Sequence, residues 1–155
     1  MELTLERTLV LVKPDGVQRN LVGTIITRLE QRGMKIVAAK FILVPEELAR
    51  EHYKVHIGKS FYDGLIKYIT SSPVMALVLE GPQVIQSVRQ TMGATNPLEA
   101  DPGTIRHDFA LMTGRNLTHA SDSIENANKE ISLWFKPEEL VNWQHDYEDW
   151  LTGDN

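Results

Sequence analysis

The chain has 155 residues with 42% apolar content and no cysteine, which predicts one globular domain over residues 1–155 and excludes disulfides, thiolate zinc sites and cysteine nucleophiles. Its formal net charge of −5 at pH 7 argues against nucleic acid as the main partner. Because the N-terminus lacks the basic head and apolar stretch of a secretory signal, and no apolar run approaches about 18 residues, we expect a cytoplasmic protein without membrane spans.

The first third of the chain changes from a strand pattern to a helix pattern and back. Residues 8–12 (TLVLV) are predicted to form a buried central strand, and the turn residues 13–16 (KPDG) end it. Apolar side chains then recur at helical spacing at Val22, Ile25, Ile26 and Leu29. Gly33 stands where a helix C-terminal cap belongs, and a second strand is predicted over residues 35–44.

The middle of the chain predicts two short helices followed by a strand and another helix. A proline and two glutamates at 45–47 suit the start of a helix that runs to about Val55, and a second helix is predicted over 62–70. The apolar residues 73–79 predict a third strand. An amphipathic helix is then marked by Val84, Ile85 and Val88.

The last predicted unit is a loop, a strand and a helix. A loop rich in glycine and proline over 93–103 precedes a strand near 116–119 and a helix over 122–135, which Asp122 and Glu125 would begin as a capping box. The face buried by this helix would be formed by Ile124, Ala127, Ile131 and Trp134.

The order of these elements predicts the fold class. Without the helical pair the order is βαββαβ, so we predict an α+β, ferredoxin-like antiparallel sheet with helices on its faces, an inserted helical pair and a C-terminal extension. We expect that extension, residues 136–155, to pack on the core or on a neighbouring subunit.

Two weaker patterns invite other functions. His52 and His56 are one helical turn apart, as zinc ligands can be, but Tyr53 occupies the place of the glutamate that a metalloprotease helix needs. Two solvated histidines are therefore the favoured interpretation. Residues 58–60 (GKS) end like a phosphate-binding P-loop, yet the first glycine of that motif is missing and no apolar strand precedes it.

His119 ends the predicted fourth strand immediately before a cluster of helix-capping residues. An imidazole there would lie beside free backbone N–H groups, which suit an anion such as phosphate. Glu130 borders the buried face of the next helix and could hold one imidazole nitrogen, fixing the tautomer and leaving the other nitrogen free to attack. The alternatives are a packed or solvated histidine and an exposed helix glutamate.

Four blocks of the sequence resemble the nucleoside diphosphate kinase family. They are VKPDGVQR at 12–19, GATNP at 93–97, PGTIR at 102–106 and NLTHASD at 116–122. They occur in the family's order and at similar spacing over nearly the whole chain. The resemblance implies a ferredoxin-like core with an added helical pair. It also implies ping-pong transfer of the terminal phosphoryl group of a nucleoside triphosphate, mainly ATP, to a diphosphate such as GDP through a phosphohistidine at His119.

The resemblance further implies roles for the matching residues. Lys13 would reach the transferring phosphate and the ribose hydroxyl, Tyr53 would place its hydroxyl near that phosphate, and Asn116 would bind the ribose. Phe61 would stack on the base, which predicts broad base specificity because stacking reads no base edge. The phosphates would be held by Arg89, Thr95 and Arg106.

Two residues beside the histidine would support the reaction. Ser121 would form hydrogen bonds around Glu130 and His119, and Asp122 would touch magnesium through water. The cofactor Mg²⁺ would arrive on the nucleotide phosphates, because no carboxylate cage is visible in the sequence. Considered singly, each implied site residue also has an ordinary structural alternative, such as a surface charge, a helix cap or core packing.

The resemblance also implies an assembly and exposes three departures. Pro97 lies in a loop that packs between subunits in this family, and the tail with Trp143 and Trp150 is long enough to cover a neighbouring subunit, which favours a hexamer over a tetramer. The departures from the common family pattern are Ala120 and His107 in place of glycines and Thr113 in place of an apolar residue.

The main alternative is a nucleotide- or protein-binding regulatory scaffold on the same fold with little turnover. A scaffold would have no need of the complete set of Lys13, Arg89, Arg106, Asn116, His119 and Glu130. An RNA-binding module would need aromatic side chains displayed on adjacent strands and a basic face, whereas the strands here are aliphatic.

Overall fold

A computed structural model describes residues 4–153 of the chain. Four strands form one sheet: β1 (Leu5–Val12), β2 (Lys35–Ile42), β3 (Val74–Pro82) and β4 (Thr118–Ala120). Their order is β2-β3-β1-β4, and every neighbouring pair is antiparallel. This is the predicted ferredoxin-like arrangement, in which β1 is a central strand between β3 and β4.

Eight α-helices connect and cover the strands. They are α1 (Pro14–Gln18), α2 (Val22–Gln31), α3 (Glu46–His52), α4 (Tyr62–Ile69), α5 (Val84–Met92), α6 (Ile105–Phe109), α7 (Ile124–Trp134) and α8 (Glu148–Thr152), all within residues 4–153. Helices α3 and α4 are the predicted helical pair between β2 and β3. Within residues 4–153, every helix is too short or too polar to span a lipid bilayer.

The hydrophobic core lies on both faces of the sheet. Leu9 and Leu11 of β1 pack with residues of α3, α4 and α7, whereas Val10 and Val12 pack with residues of α2 and α5. The side chains of these four residues are fully buried. A strand covered on both faces must be apolar at every position, which is why residues 8–12 form a continuous apolar run instead of an alternating one.

Several predicted boundaries were wrong, and each difference has a local cause. The predicted turn after β1 is the short helix α1, because Pro14 at its first turn suits helix φ and needs no N–H partner. The first helix of the pair ends at His52 instead of Val55, and a single 3₁₀ turn, Lys54–His56, follows it. The fourth strand starts at Thr118, two residues later than predicted.

The start of α7 also differs from the prediction. Ser123, not Asp122, is the N-cap residue, because the Ser123 side chain accepts a hydrogen bond from the backbone N–H of Asn126. Ala127, Ile131 and Trp134 are buried as predicted, whereas Ile124 is 58% exposed. The buried face of α7 therefore begins one turn later than the periodicity indicated.

The tail after α7 runs along the free edge of β2. The backbone N–H of Val141 donates to the Val37 carbonyl at 2.8 Å, and the Trp143 indole N–H donates to the Ile36 carbonyl at 2.8 Å. Lys35 in turn donates to the Trp143 carbonyl at 2.5 Å. These hydrogen bonds satisfy backbone carbonyl groups that an uncovered edge strand would leave without a partner in the protein.

Candidate active site

A cleft of about 360 Å³ opens beside the C-terminal end of β1 and the short strand β4. It brings together most of the residues singled out in the sequence: Lys13, Tyr53, Arg89, Thr95, Arg106, Asn116, His119, Asp122 and Glu130. Phe61 and Ser121 lie outside this lining. Side chains far apart in the chain meet here because β1 pairs directly with β4.

His119 is held by a carboxylate on α7. Its Nε2 lies 2.5 Å from Oε1 of Glu130, and the Ser121 hydroxyl donates to the same carboxylate oxygen at 3.1 Å. Ser121 accepts from the backbone N–H of Leu9 at 3.2 Å, which ties the serine to the central strand. With Nε2–H donated to the carboxylate, the neutral form of the ring has its lone pair on Nδ1, so the arrangement can present Nδ1 as a nucleophile.

Arg106 is the most firmly held cation of the cleft. Its guanidinium donates to three backbone carbonyls, those of Gly93 at 3.0 Å, Asn116 at 3.2 Å and Thr118 at 2.8 Å. Burial, and then the charge of Arg89, lowers the pKa of Arg106 to about 10, so it stays charged at neutral pH. A guanidinium has five N–H donors, so two remain for an anion.

Arg89 supplies a second, more exposed guanidinium to the same cleft. Its Nη1 donates to the Ala120 carbonyl at 3.2 Å, next to the histidine. The charge of Arg89 adds to burial in lowering the pKa of Arg106, so the two guanidinium groups form a positive region. An anion with more than one negative charge, such as a polyphosphate, would relieve that repulsion.

Lys13, Asn116 and the loop at Thr95 form a chain of hydrogen bonds. Lys13 Nζ donates to Asn116 Oδ1 at 2.5 Å, and Asn116 Nδ2 donates to the Thr95 carbonyl at 2.9 Å. Burial lowers the pKa of Lys13 to about 8. Asp15 opposes this lowering, whereas the charges of Arg106 and Arg115 contribute to it. The lysine is therefore charged at neutral pH and loses its proton just above it.

We expect nucleotide binding to take up protons above pH 8. Free Lys13 becomes neutral as the pH rises through about 8, whereas phosphate oxygens would favour its charged form and raise its pKa again. At pH 8.5, ADP binding should take up about 0.7 of a proton, and affinity should fall as the pH rises further. Calorimetric titration in two buffers of different ionisation enthalpy measures this uptake. A Lys13→Gln variant that took up the same amount would contradict the assignment.

A strained turn precedes β4 and sets the direction of the site. Leu117 has a positive φ of 73°, and the Thr118 N–H donates to the Asn116 carbonyl at 2.8 Å, which closes a three-residue γ-turn. Turns of this hand are rare because a side chain is crowded there. The turn is held by the Leu117 N–H, which donates to Asp15 Oδ2 at 3.0 Å, and by the Lys13 N–H, which donates to the Leu117 carbonyl at 2.8 Å. Strain of this kind commonly marks functional sites.

Tyr53 and Phe61 come from the helical pair. Tyr53 is only 9% exposed, and burial, followed by the nearby Glu130 charge, raises the pKa of its hydroxyl. That hydroxyl therefore stays protonated and can donate to a phosphate oxygen. Phe61 is 52% exposed at the rim, with its ring centroid 5.4 Å from that of His56. An exposed aromatic face at the mouth of the cleft can stack on a flat ligand.

Sequence reasoning missed two residues of the cleft lining, Leu65 and Thr118, and it considered His56 only as a zinc ligand or a solvated histidine. The prediction that His52 is solvated was wrong. The Trp134 indole N–H donates to its Nδ1 at 3.1 Å, and the His52 and His119 rings lie 4.8 Å apart. Burial of His52 depends on how α3 packs on α7, which a helical spacing of histidines cannot reveal.

Asp122 lies at the cleft as an exposed carboxylate. Asn126 Nδ2 donates to its Oδ1 at 2.7 Å, and this hydrogen bond lowers the pKa of Asp122, so the group is ionised at neutral pH. Within residues 4–153, His, Asp and Glu side chains form no group of three or more that could hold a metal ion. A metal at this site would need most of its ligands from a bound molecule.

The three departures from the family pattern leave the cleft intact. Ala120 is buried with no positive φ, so its methyl group meets no backbone penalty. His107 is exposed, and its Nδ1 lies 3.0 Å from the Ala100 carbonyl. Thr113 is exposed in the turn before β4.

The chain was compared with known protein families and curated proteins. The family model described as "Nucleoside diphosphate kinase" matches residues 6–140. The nucleoside diphosphate kinase of Listeria monocytogenes serotype 4a is 54% identical over 147 residues, which are 95% of this chain and 100% of that protein. The nucleoside diphosphate kinase of Archaeoglobus fulgidus is 56% identical, with 95% of this chain and 97% of that protein covered.

Two solved structures show the same architecture. The nucleoside diphosphate kinase of Halobacterium salinarum in complex with CDP superposes with a TM-score of 0.93 at 50% identity, covering 96% of this chain and 99% of that one. A structure of the Borrelia burgdorferi nucleoside-diphosphate kinase, in which bound vanadate and ADP mimic the transition state, superposes with a TM-score of 0.91 at 39% identity. It covers 97% of this chain and 100% of that one. Identity this high over nearly complete chains goes beyond a shared fold.

Proposed function

We propose, since this chain belongs to the nucleoside diphosphate kinase family, that His119 carries the phosphoryl group as the enzyme transfers it from a nucleoside triphosphate to a nucleoside diphosphate. The observation that carries the proposal is the 2.5 Å contact between His119 Nε2 and Glu130, which leaves Nδ1 as the free nucleophile. Both half-reactions use this nitrogen, so donor and acceptor nucleotides bind the same cleft in turn.

The first half-reaction forms one bond and breaks one. The Nδ1 lone pair attacks the terminal phosphorus of the triphosphate, and the bond from that phosphorus to the bridging oxygen breaks, releasing the diphosphate. The imidazole ring gains positive charge as the bond forms. Glu130 stabilises that charge through the Nε2 hydrogen bond, and no proton needs to leave the ring. A second diphosphate reverses the sequence through its terminal oxygen.

The cations of the cleft neutralise the transferring group. Arg106 has two free N–H donors in a fixed orientation, while Arg89 and Lys13 bring two further positive charges to the same space. The side chains of Thr95 and Tyr53 lie at the same cleft and offer hydroxyl donors. Phosphoryl transfer needs positioning and charge stabilisation more than covalent help, and these groups supply both.

The nucleoside end lies toward the rim. Asn116, already bonded to Lys13, would hold the ribose hydroxyls, and the exposed ring of Phe61 would stack on the base. Stacking accepts any base, which supports a broad choice among ATP, GDP and other nucleotides.

Magnesium would enter with the nucleotide. The lone ionised carboxylate of Asp122 fits an ion that takes most of its ligands from phosphate oxygens and water. When bound, the ion supplies further neutralisation of phosphate charge. Lys13, Arg89 and Arg106 orient the phosphates themselves, and Asp122 would touch the ion through water.

Phosphorylation of the intact protein tests this function directly. After incubation with magnesium and ATP, the protein should gain the mass of one acid-labile phosphoryl group, and adding GDP should remove it and release GTP. Chelating the magnesium with EDTA should slow the gain by about a hundredfold or more. An unchanged mass under conditions where calorimetry shows that ATP binds would reject the kinase mechanism and favour a binding scaffold.

We also propose that the protein forms a hexamer. The tail, residues 136–155, is proposed to belong to the same domain as the rest of the chain. Three large apolar side chains are exposed: Leu98, which follows Pro97, is 84% exposed, and Leu111 and Met112, which follow α6, are 83% and 70% exposed. Exposed apolar side chains of this size are candidates for an interface when they form a patch. Light scattering coupled to size-exclusion chromatography separates a hexamer from a tetramer.

We propose a cytoplasmic location for the protein, because its nucleotide substrates are used there.

A further inference from the structure

His52 packs directly against the proposed nucleophile, yet the phosphoryl-transfer steps assign it no role. The His52 and His119 rings meet edge to face, with centroids 4.8 Å apart and an interplanar angle of 79°. Trp134 meets His52 in the same manner, at 5.4 Å and 88°. His52 therefore lies between a buried indole of α7 and the reacting imidazole of β4.

The Trp134 indole fixes the tautomer and orientation of His52. Trp134 is 2% exposed, and its Nε1–H donates to His52 Nδ1 at 3.1 Å. An indole nitrogen can only donate, so His52 Nδ1 must carry a lone pair, and the ring proton is on Nε2. This bond satisfies a buried donor and sets the rotation of the His52 ring at the same time.

The surroundings of His52 also keep its ring neutral. Burial lowers the pKa of His52 to about 2, and the nearby His119, His56 and Lys13 contribute in the same direction. A neutral ring adds no charge that changes with pH beside the nucleophile. Its contribution to His119 is therefore steric and constant over the working pH range.

The bond to Glu130 does not by itself define the plane of the His119 ring. The ring is bonded to Cβ and held at Nε2, so it can still rotate about the axis through these two points, and this rotation would carry Nδ1 out of line with the phosphorus. A side chain that packs against the face or edge of the ring, here called a wall, removes this freedom. In-line transfer is sensitive to such a displacement, because an error of about 1 Å can cost a hundredfold in rate.

We propose that His52 is a positioning residue whose ring, anchored by the Trp134 indole, fixes the plane of the His119 imidazole and aims Nδ1 at the terminal phosphorus. This inference rests on the proposed function. It concerns the rate of transfer and not the binding of nucleotide, since His52 is not part of the cleft lining.

Two substitutions of His52 separate positioning from stability. His52→Asn keeps an acceptor near the place of Nδ1 for the Trp134 indole but removes the wall, whereas His52→Phe keeps a flat wall but leaves the indole N–H without an acceptor. The measurements are the single-turnover rate constant for phosphorylation by ATP, the Kd for ADP, and the Tm.

The two variants should show opposite patterns. His52→Asn should phosphorylate about tenfold or more slowly, with the Kd for ADP within twofold of wild type and little change in Tm. His52→Phe should have a Tm lower by about 3–10 °C and a rate within about threefold of wild type, because a phenyl ring can still pack between Trp134 and His119 without the indole bond. A merely structural role would make rate and Tm fall together in both variants.

A matched control and the wild type complete the test. His145 lies in the tail, with its ring 4.7 Å from that of Trp143, and His145→Asn should leave the phosphorylation rate unchanged. A wild-type rate in His52→Asn would overturn the positioning role and leave the proposed function standing. A wild-type protein that gained no phosphoryl group would instead reject the function itself.

Discussion

Replacing His119 by alanine is expected to reduce turnover by about 10⁴-fold or more and to abolish the phosphoryl-enzyme. The substitution removes the nitrogen that we propose as the nucleophile, and no other imidazole is held by a carboxylate within the described cleft lining. ADP should still bind within about threefold of wild type, because Lys13, Arg89 and Arg106 remain in place.

This variant should also remain folded. The His119 side chain is 25% exposed, and the Ser121 hydroxyl still donates to Glu130 after the substitution. A coupled assay of turnover, intact mass and ADP calorimetry measure the three quantities, with His145→Ala as the matched control. Residual turnover above a few per cent, or a stable phosphoryl group on His119→Ala, would show that another residue is the nucleophile.

Replacing Arg106 by alanine should lower both activity and stability. In the proposed mechanism the guanidinium would offer its two free donors to the transferring phosphate, so we expect kcat/KM to fall about 10²–10³-fold. The same change leaves three carbonyls around a buried space without their donor. We expect a loss of about 2–4 kcal/mol in the free energy of unfolding.

Arg19, which also donates to a backbone carbonyl, provides the control for Arg106. Arg19 donates to the Phe109 carbonyl at 2.6 Å but is exposed and absent from the cleft lining, so Arg19→Ala should leave kcat/KM unchanged. Arg106→Lys should recover only part of each loss, since an ammonium cannot reach all three carbonyls in one plane. If Arg106→Ala lost stability but kept the wild-type kcat/KM per folded molecule, its role would be structural alone.

The parts of the fold that could be predicted are those with local patterns. The apolar run of β1 and the helical spacing of α2 and α4 are visible within short windows of sequence. The helices α1 and α6 have only five residues each, and their formation depends on contacts made elsewhere in the fold. Such short helices have little intrinsic stability, which is why the sequence did not reveal them.

The candidate site divides in the same way. Motifs singled out Lys13 and His119 as candidates, and the pairing of β1 with β4 places both at one cleft. What the sequence could not give is the set of distant backbone partners. Arg106 was expected to bind phosphate. Its hydrogen bonds to the carbonyls of Gly93, Asn116 and Thr118 depend on the path of the chain at those three residues. The positive φ of Leu117 was equally hidden, because leucine seldom adopts it.

The central position of β1 has a consequence for how the protein is made. Both of its partner strands, β3 and β4, are synthesised later, and Lys13 is separated from Asn116 by 103 residues. At ribosomal rates of about 5–20 residues per second, the apolar β1 strand waits roughly 3–12 s for β3 to appear. A nascent chain therefore holds the lysine of the cleft, but neither its asparagine nor its histidine, until synthesis is three-quarters complete. Until then, an apolar strand without its partners is open to pairing with the wrong segment or with another chain.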